Sequence, residues 1–157
     1  MTEMTTNAFT TGNQFLREGK LEEAIASYEK AIELNPQSAW SYQSLGEALE
    51  QVGRIDEAIA VFRRAVANCP ESPWCFYKLG MILGQQGEFQ EGVGYLRRAI
   101  DLKKNVPQFY LGLGSGLVKL GQWSQAVDCI NQAVGMWDGK VETLGRMCLE
   151  FLTLKTL

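Results

Sequence analysis

The chain has 157 residues, 46% of them hydrophobic, and its 15 Lys and Arg residues against 18 Asp and Glu residues give a formal net charge of −3. This composition predicts one packed domain, and the acidic balance argues against nucleic acid as a partner, because phosphate binding depends on clustered cations. The chain has no histidine, which excludes Ser-His and Cys-His nucleophile pairs and the H-E-x-x-H zinc helix within it, so we expect no enzymatic activity, catalytic residue, metal or cofactor.

Three sets of small residues recur every 34 residues along the chain. The sets are Gly12, Gly46, Gly80 and Gly114; Gly19, Gly53, Gly87 and Gly121; and Ala31, Ala65, Ala99 and Ala133. Three independent columns with one period identify a repeat array, in which one supersecondary unit is stacked on itself. We divide this single domain into repeats 5–38, 39–72, 73–106 and 107–140, followed by residues 141–157, and number the positions from 1 to 34 within each repeat.

Each repeat predicts two amphipathic helices in succession. In the second repeat, Tyr42, Leu45 and Leu49 have the i, i+3, i+7 spacing of one helix face. Ile55 and Phe62 keep the same spacing in the following segment. The periodicity therefore predicts a helix in each half of every repeat.

Glycines at two positions predict close helix packing and a turn. Glycine at position 8, such as Gly80, lies inside the first helix, where it costs about 1 kcal/mol relative to alanine. We expect it to allow close approach of the second helix at position 20, which is Ala or Gly in all four repeats. Glycine at position 15, such as Gly87, follows the last periodic residue of the first helix and predicts a left-handed C-cap. Pro36 and Pro70 predict the ends of two second helices.

The register continues after the fourth repeat. Leu144 and Phe151 occupy positions that are apolar in the first helices, which predicts a further helix at 141–154, either a C-terminal capping helix or part of a fifth repeat. A second apolar strip lies outside that face and consists of Leu149, Leu152, Leu154 and Leu157. Two explanations remain open: the chain is a fragment of a longer protein, or this strip mediates self-association as a homodimer.

The second repeat carries the most complete residue pattern. Its members are Tyr42, Leu45, Gly46, Leu49, Gly53, Ala58, Phe62, Ala65 and Pro70. This pattern resembles the 34-residue consensus of the tetratricopeptide repeat (TPR) family, and the resemblance extends over about residues 5 to 140. It implies an all-α fold, a right-handed superhelical solenoid of antiparallel helix pairs, with the first helices on the concave surface and the second helices on the outer wall.

The family resemblance also indicates where a ligand would bind. In TPR proteins, positions 2, 5, 9 and 12 of the first helices face the groove. With Lys78 at its edge, the candidate peptide-binding groove comprises Phe9, Asn13, Trp40, Gln43, Glu47, Trp74, Tyr77, Lys78 and Met81. Aromatic residues and Met are enriched at binding hot spots, so we expect an extended, partly apolar peptide as the ligand, its backbone bonded by Asn13, Gln43 and Glu47. Alternatively, Trp40 and Trp74 seal the junctions between repeats.

Three further sequence patterns do not indicate a catalytic or binding site. The segment Gly112-Leu-Gly-Ser-Gly116 has the composition of a phosphate loop, but it lies inside a predicted helix without a preceding strand or a suitably spaced lysine. The cysteines, which include Cys69 and Cys75, show no C-x-x-C spacing and are expected to be structural thiols. The TPR pattern that clamps the carboxylate of chaperone tails is matched at only two of five positions, by Asn13 and Lys78.

These observations predict a non-catalytic protein–protein interaction scaffold that binds a peptide or protein segment in its groove. No apolar run reaches the ~18 residues that span a bilayer, and the N-terminus lacks the basic segment and apolar core of a secretory signal, so we expect a cytoplasmic location without membrane insertion. The alternative from another functional class is the substrate-recruiting arm of a larger glycosyl- or methyl-transferase, because TPR arrays are often joined to such domains.

Overall fold

The computed structural model describes residues 3–136. Eight α-helices follow one another in that range: α1 (Glu3–Arg17), α2 (Leu21–Leu34), α3 (Ala39–Gln51), α4 (Ile55–Asn68), α5 (Pro73–Gln85), α6 (Phe89–Leu102), α7 (Pro107–Lys119) and α8 (Trp123–Gly135). Residues 3–136 contain no β-strand, as predicted. The predicted helix at 141–154 and the apolar strip of Leu149, Leu152, Leu154 and Leu157 lie outside the described residues.

The helices form four hairpins that stack in chain order. Three-residue turns join α1 to α2, α3 to α4, α5 to α6 and α7 to α8, and each hairpin packs on the next through α2 with α3, α4 with α5 and α6 with α7. The odd-numbered helices also touch across repeats, α3 with α5 and α5 with α7, whereas consecutive even-numbered helices within the described range make no comparable contact. Because the odd helices lie closer together, they line the inner face and the even helices form the outer wall.

The glycines at position 15 make the turn within each hairpin. Their φ angles are 73° at Gly19, 78° at Gly53, 88° at Gly87 and 74° at Gly121. The amide of the following residue bonds back to the helix in every case, for example from Lys20 N to the carbonyl of Phe15 at 2.9 Å. A side chain is strained at positive φ, so the predicted left-handed C-cap is confirmed, and glycine is required at this position.

The glycines at position 8 allow close helix packing, but not always at the predicted partner. A Cβ built on Gly80 would lie 2.8 Å from the carbonyl oxygen of Gly92 at position 20, which is the expected contact. On Gly12, however, the nearest atoms belong to the ring of Tyr28 at position 24, with Tyr28 Cε1 at 2.6 Å. In the third repeat the position-24 residue, Leu96, also contacts this point, with its Cγ at 2.7 Å, but its smaller side chain lets the backbone at Gly92 come equally close.

Two arginines connect neighbouring repeats across the outer wall. Arg63 on α4 pairs with Glu91 on α6 at 2.9 Å, and Arg97 on α6 donates to Gln125 on α8 at 2.7 Å. Both arginines stand at position 25 and reach position 19 of the next repeat. These exposed contacts link neighbouring repeats across the convex surface and contribute at most about 1 kcal/mol each.

Candidate peptide-binding groove

A polar network lies on the inner face between α3 and α5. Lys78 Nζ lies 2.6 Å from Glu47 Oε1, and Gln43 Nε2 donates to the same oxygen at 3.1 Å. All three side chains are partly exposed, so they are accessible to a ligand in the groove. Gln43 and Glu47 are one helical turn apart, which places them on one stripe of α3.

The centre of the groove carries an excess of negative charge. Glu50 lies one turn beyond Glu47 on α3, and burial raises its pKa from 4.5, with a further contribution from Glu47, while Lys78 opposes the shift. Glu50 forms no ion pair with any residue between 3 and 136. With two carboxylates and one ammonium group, this part of the groove has a net charge of −1 when Glu50 is ionised and is complementary to a cation.

Asn13 on α1 is hydrogen-bonded to the second helix of its own hairpin. The hydroxyl of Tyr28 donates to Asn13 Oδ1 at 2.8 Å, and the ring of Phe9 lies 5.8 Å from that of Tyr28. The expectation that Asn13, Gln43 and Glu47 would all be open to a peptide backbone therefore needs correction, because each already bonds within the chain. Asn13 Nδ2 and Gln43 Oε1 make no hydrogen bond within the described part of the chain and stay available.

The two tryptophans at position 2 have different environments. Trp74 packs edge-on against Phe109 at a centroid distance of 4.9 Å and against Tyr77 at 5.6 Å. Trp40 is 65% exposed and makes no ring contact in residues 3–136. The register explains the difference, because the position of Phe109 is taken in the third repeat by Cys75, which offers no ring face. Trp74 thus packs at the junction between the third and fourth repeats, whereas Trp40 stays exposed.

Tyr77 and Met81 lie at the junction of the third and fourth repeats. Both side chains approach Gly112 on α7, where an added Cβ would lie 2.9 Å from Met81 Sδ and 3.2 Å from Tyr77 Cε2. Beside Met81, a cavity of about 370 Å³ opens between α5, α6 and α7. This cavity was not predicted from the sequence, although Gly84, which falls outside the repeating glycine columns, was a signal for it.

The buried thiols behave as core residues. Cys69 and Cys75 are buried, and burial raises the pKa of the Cys69 thiol to about 11 and also raises that of Cys75. Thiols that stay protonated are weak nucleophiles. Across residues 3–136, no three side chains among Cys, Asp and Glu are grouped so that they could hold a metal ion, and none of the described helices has the length and apolar content to cross a bilayer.

Stacked helix hairpins with an open inner groove define an α-helical repeat solenoid. Family models confirm and specify this class: a TPR repeat model matches residues 12–53, and tetratricopeptide repeat models match residues 39–82 and 77–141. The chain belongs to the tetratricopeptide repeat family. No curated protein matched the sequence.

Solved TPR structures share the fold. A crystal structure of MamA protein is 24% identical and covers 87% of this chain and 74% of its own, with a TM-score of 0.76. MamA 41-end from Desulfovibrio magneticus RS-1 is 18% identical over 84% of this chain and 75% of its own, with a TM-score of 0.72. YrrB, described as a TPR protein with an unusual peptide-binding site, is 26% identical over 85% of this chain and 69% of its own, with a TM-score of 0.71. The predicted all-α solenoid is confirmed.

Proposed function

We propose that the protein is a non-catalytic interaction scaffold whose inner groove binds an extended segment of a partner protein. The observation that carries the proposal is Trp40, a tryptophan that is 65% exposed on the groove side of α3 and has no ring partner within the described residues. Tryptophan is one of the residue types that are enriched at binding hot spots. The peptide-binding site named for YrrB, which is similar in fold, supports the same function.

The groove beside Trp40 determines what the segment should look like. Asn13 Nδ2 and Gln43 Oε1 provide a donor and an acceptor for a peptide backbone, while Glu47 and Glu50 together exceed the charge of Lys78 by one. A bound segment should therefore carry a basic side chain over the centre of the groove and an apolar one against Trp40.

A pull-down with mass spectrometry tests the proposal. We expect Trp40→Ala to lose the partner that the wild-type protein captures from its native lysate, whereas Trp123→Ala, which removes a 44% exposed tryptophan from α8, should keep it. Once the bound segment is identified, Trp40→Ala should weaken its affinity by about 30-fold or more, the effect of removing a hot-spot residue worth ~2 kcal/mol.

A charge reversal at Glu50 provides a second test of the groove. Glu50→Lys should weaken the same complex, because it reverses the sign of the charge at the groove centre. If the captured proteins are unchanged by both Trp40→Ala and Glu50→Lys, the partner binds elsewhere and the groove is not the site. If Trp40→Ala alters the far-ultraviolet circular dichroism, its effect on binding does not support the proposal.

A further inference from the structure

The cavity between α5, α6 and α7 has the dimensions and lining of a binding pocket. Its volume of about 370 Å³ falls within the range of ligand pockets, about 300–1,000 Å³. Its apolar side chains are Met81, Phe89, Val93 and Leu96, and the remaining lining residues are Gln85, Ser115, Lys119 and the glycines at 80, 84, 92, 112 and 116. A mostly apolar lining with a few polar groups is typical of sites that accept one large side chain or a small ligand.

A missing side chain at Gly84 contributes to the space in this cavity. Gly84 stands at position 12, where the first two repeats carry Leu16 and Glu50. Gly116, on the opposite wall, is a packing glycine, because a Cβ there would lie 2.8 Å from Val93 Cγ2. The first two repeats therefore carry a side chain at the position that Gly84 leaves empty here. The cavity belongs to this junction and does not follow from the repeat pattern as such.

Helix packing does not require the glycine at 84. A Cβ on Gly92 would lie 2.7 Å from the carbonyl oxygen of Gly80, so that glycine is needed for α6 to approach α5. A Cβ on Gly84 would meet no atom within 4 Å. Glycine is less stable than alanine inside a helix, and at Gly84 no contact within the described residues offsets this disadvantage. Gly84 therefore leaves open space in the wall of the cavity.

The polar side of the cavity indicates the chemistry of the occupant. Lys119 is the one charged residue among those that line the cavity, it is exposed, and it forms no ion pair with any residue from 3 to 136. Gln85 and Ser115 add hydrogen-bonding groups beside it. A carboxylate next to an apolar side chain would satisfy both parts of the site, the ammonium group and the apolar floor.

We infer that this cavity anchors the partner segment by one large apolar side chain whose neighbouring Asp or Glu pairs with Lys119. The inference rests on the proposed groove function and adds a second contact to it. The groove centre at Glu50 selects a basic residue, and the cavity selects an apolar residue beside an acidic one. Both contacts lie along the odd-numbered helices, so one extended segment would pass over both.

A random dodecapeptide library, displayed with the peptide C-terminus fused to the coat protein, tests this site. The fusion removes the terminal carboxylate, so only side-chain carboxylates can pair with Lys119. On the wild-type protein we expect enriched peptides with Leu, Ile, Phe or Met next to Asp or Glu. Gly84→Leu places in the cavity the residue found at the same position in the first repeat and should weaken those peptides at least tenfold.

Matched controls separate a filled cavity from a change in the helix. Gly94→Leu removes a helical glycine whose Cβ would also meet nothing within 4 Å, but on the exposed side of α6, and should leave peptide affinity unchanged. Lys119→Glu should reverse the selected charge from acidic to basic, whereas Lys104→Glu, in the exposed turn after α6, should not. Thermal unfolding should show Gly84→Leu at least as stable as the wild type, and Gly84→Ala replaces it if the leucine variant does not fold.

The remaining outcomes overturn the inference in distinguishable ways. If peptides lose affinity with Trp40→Ala but bind Gly84→Leu as they bind the wild type, the groove functions and the cavity is not part of it. If the library enriches no peptide on the wild-type protein, both proposals fail. If Gly84→Leu instead converts a self-associated wild type into a monomer in sedimentation velocity, the cavity receives a second copy of this chain.

Discussion

Two single variants, each with alanine in place of the position-8 glycine of one repeat, measure how much strain a methyl group introduces where two helices pack closely. In Gly80→Ala, the new Cβ would lie 2.7 Å from Leu96 Cγ and 2.8 Å from the carbonyl oxygen of Gly92. The backbone oxygen is about 0.7 Å closer than an ordinary contact of ~3.5 Å, so α5 and α6 have to move apart. In Gly114→Ala, the nearest atoms, which include the carbonyl oxygen of Ala126, are already at 3.5 Å.

Both variants gain helix stability, but only Gly80→Ala suffers from overpacking. Alanine stabilises both helices by about 1 kcal/mol relative to glycine. Overpacking costs about 1–3 kcal/mol and applies to Gly80→Ala alone. We therefore expect Gly114→Ala to raise the free energy of unfolding by up to about 1 kcal/mol and Gly80→Ala to lower it by about 0–2 kcal/mol.

Urea unfolding and thermal unfolding of the full chain, each followed by circular dichroism at 222 nm, measure the difference. Thermal midpoints of the two variants should differ by about 2–12 °C, since 1 kcal/mol corresponds to about 2–4 °C for a protein of this size. Equal midpoints for the two variants, or a more stable Gly80→Ala, would refute the reasoning, because the α5–α6 contact would then accommodate a methyl group without strain.

Three further changes test other parts of the structure. Burial raises the pKa of Glu50 from 4.5, so ionisation of this carboxyl destabilises the folded state as the pH rises above that value. Glu50→Gln should therefore raise the urea midpoint at pH 7 but not below about pH 4, where the carboxyl is protonated in both the folded and the unfolded state. A gain in stability that does not depend on pH would contradict this. Trp74→Ala, which loses the contact with Phe109, should cost about 1–3 kcal/mol, whereas Trp40→Ala should stay within about 0.5 kcal/mol of the wild type in the same assay; equal losses would be inconsistent with their different burial. Because burial raises the pKa of Cys69 to about 11, this thiol should not react rapidly with a thiol reagent at pH 8 in the native protein. Cys69→Ala should therefore leave the number of rapidly reacting thiols unchanged in the native protein and lower it by one only after denaturation. A lower number in the native variant would show that Cys69 is accessible.

For the groove residues, the sequence predicted the positions within each repeat but not the contacts of the side chains. Position numbers placed Gln43, Glu47 and Lys78 near one another, because each repeat positions its first helix in the same way relative to the next. The same numbers could not show that these side chains bond to each other, since a hydrogen bond depends on side-chain rotamers. Nor could they show that Asn13 accepts a bond from Tyr28. Which polar atoms stay available to a ligand therefore had to come from the structure.

The helices and turns of each repeat, by contrast, could be predicted from the sequence. Glycine at position 15, as at Gly87 with its φ of 88°, terminates a helix through contacts within a few residues of chain, and the apolar period determines which face of each helix is buried. These interactions are short-range and recur in every repeat, so one period of 34 residues was enough to predict helix pairs, turns and stacking.

The tertiary structure decided what differs between repeats. Trp40 and Trp74 share position 2, yet one is exposed and the other packs on Phe109, because the neighbouring residue comes from the next repeat. The cavity at Gly84 likewise depends on the combined side chains of α5, α6 and α7. A repeat pattern describes each unit by itself, whereas a binding surface forms where two units meet, so the contacts between repeats determine which side chains and which spaces remain open to a partner.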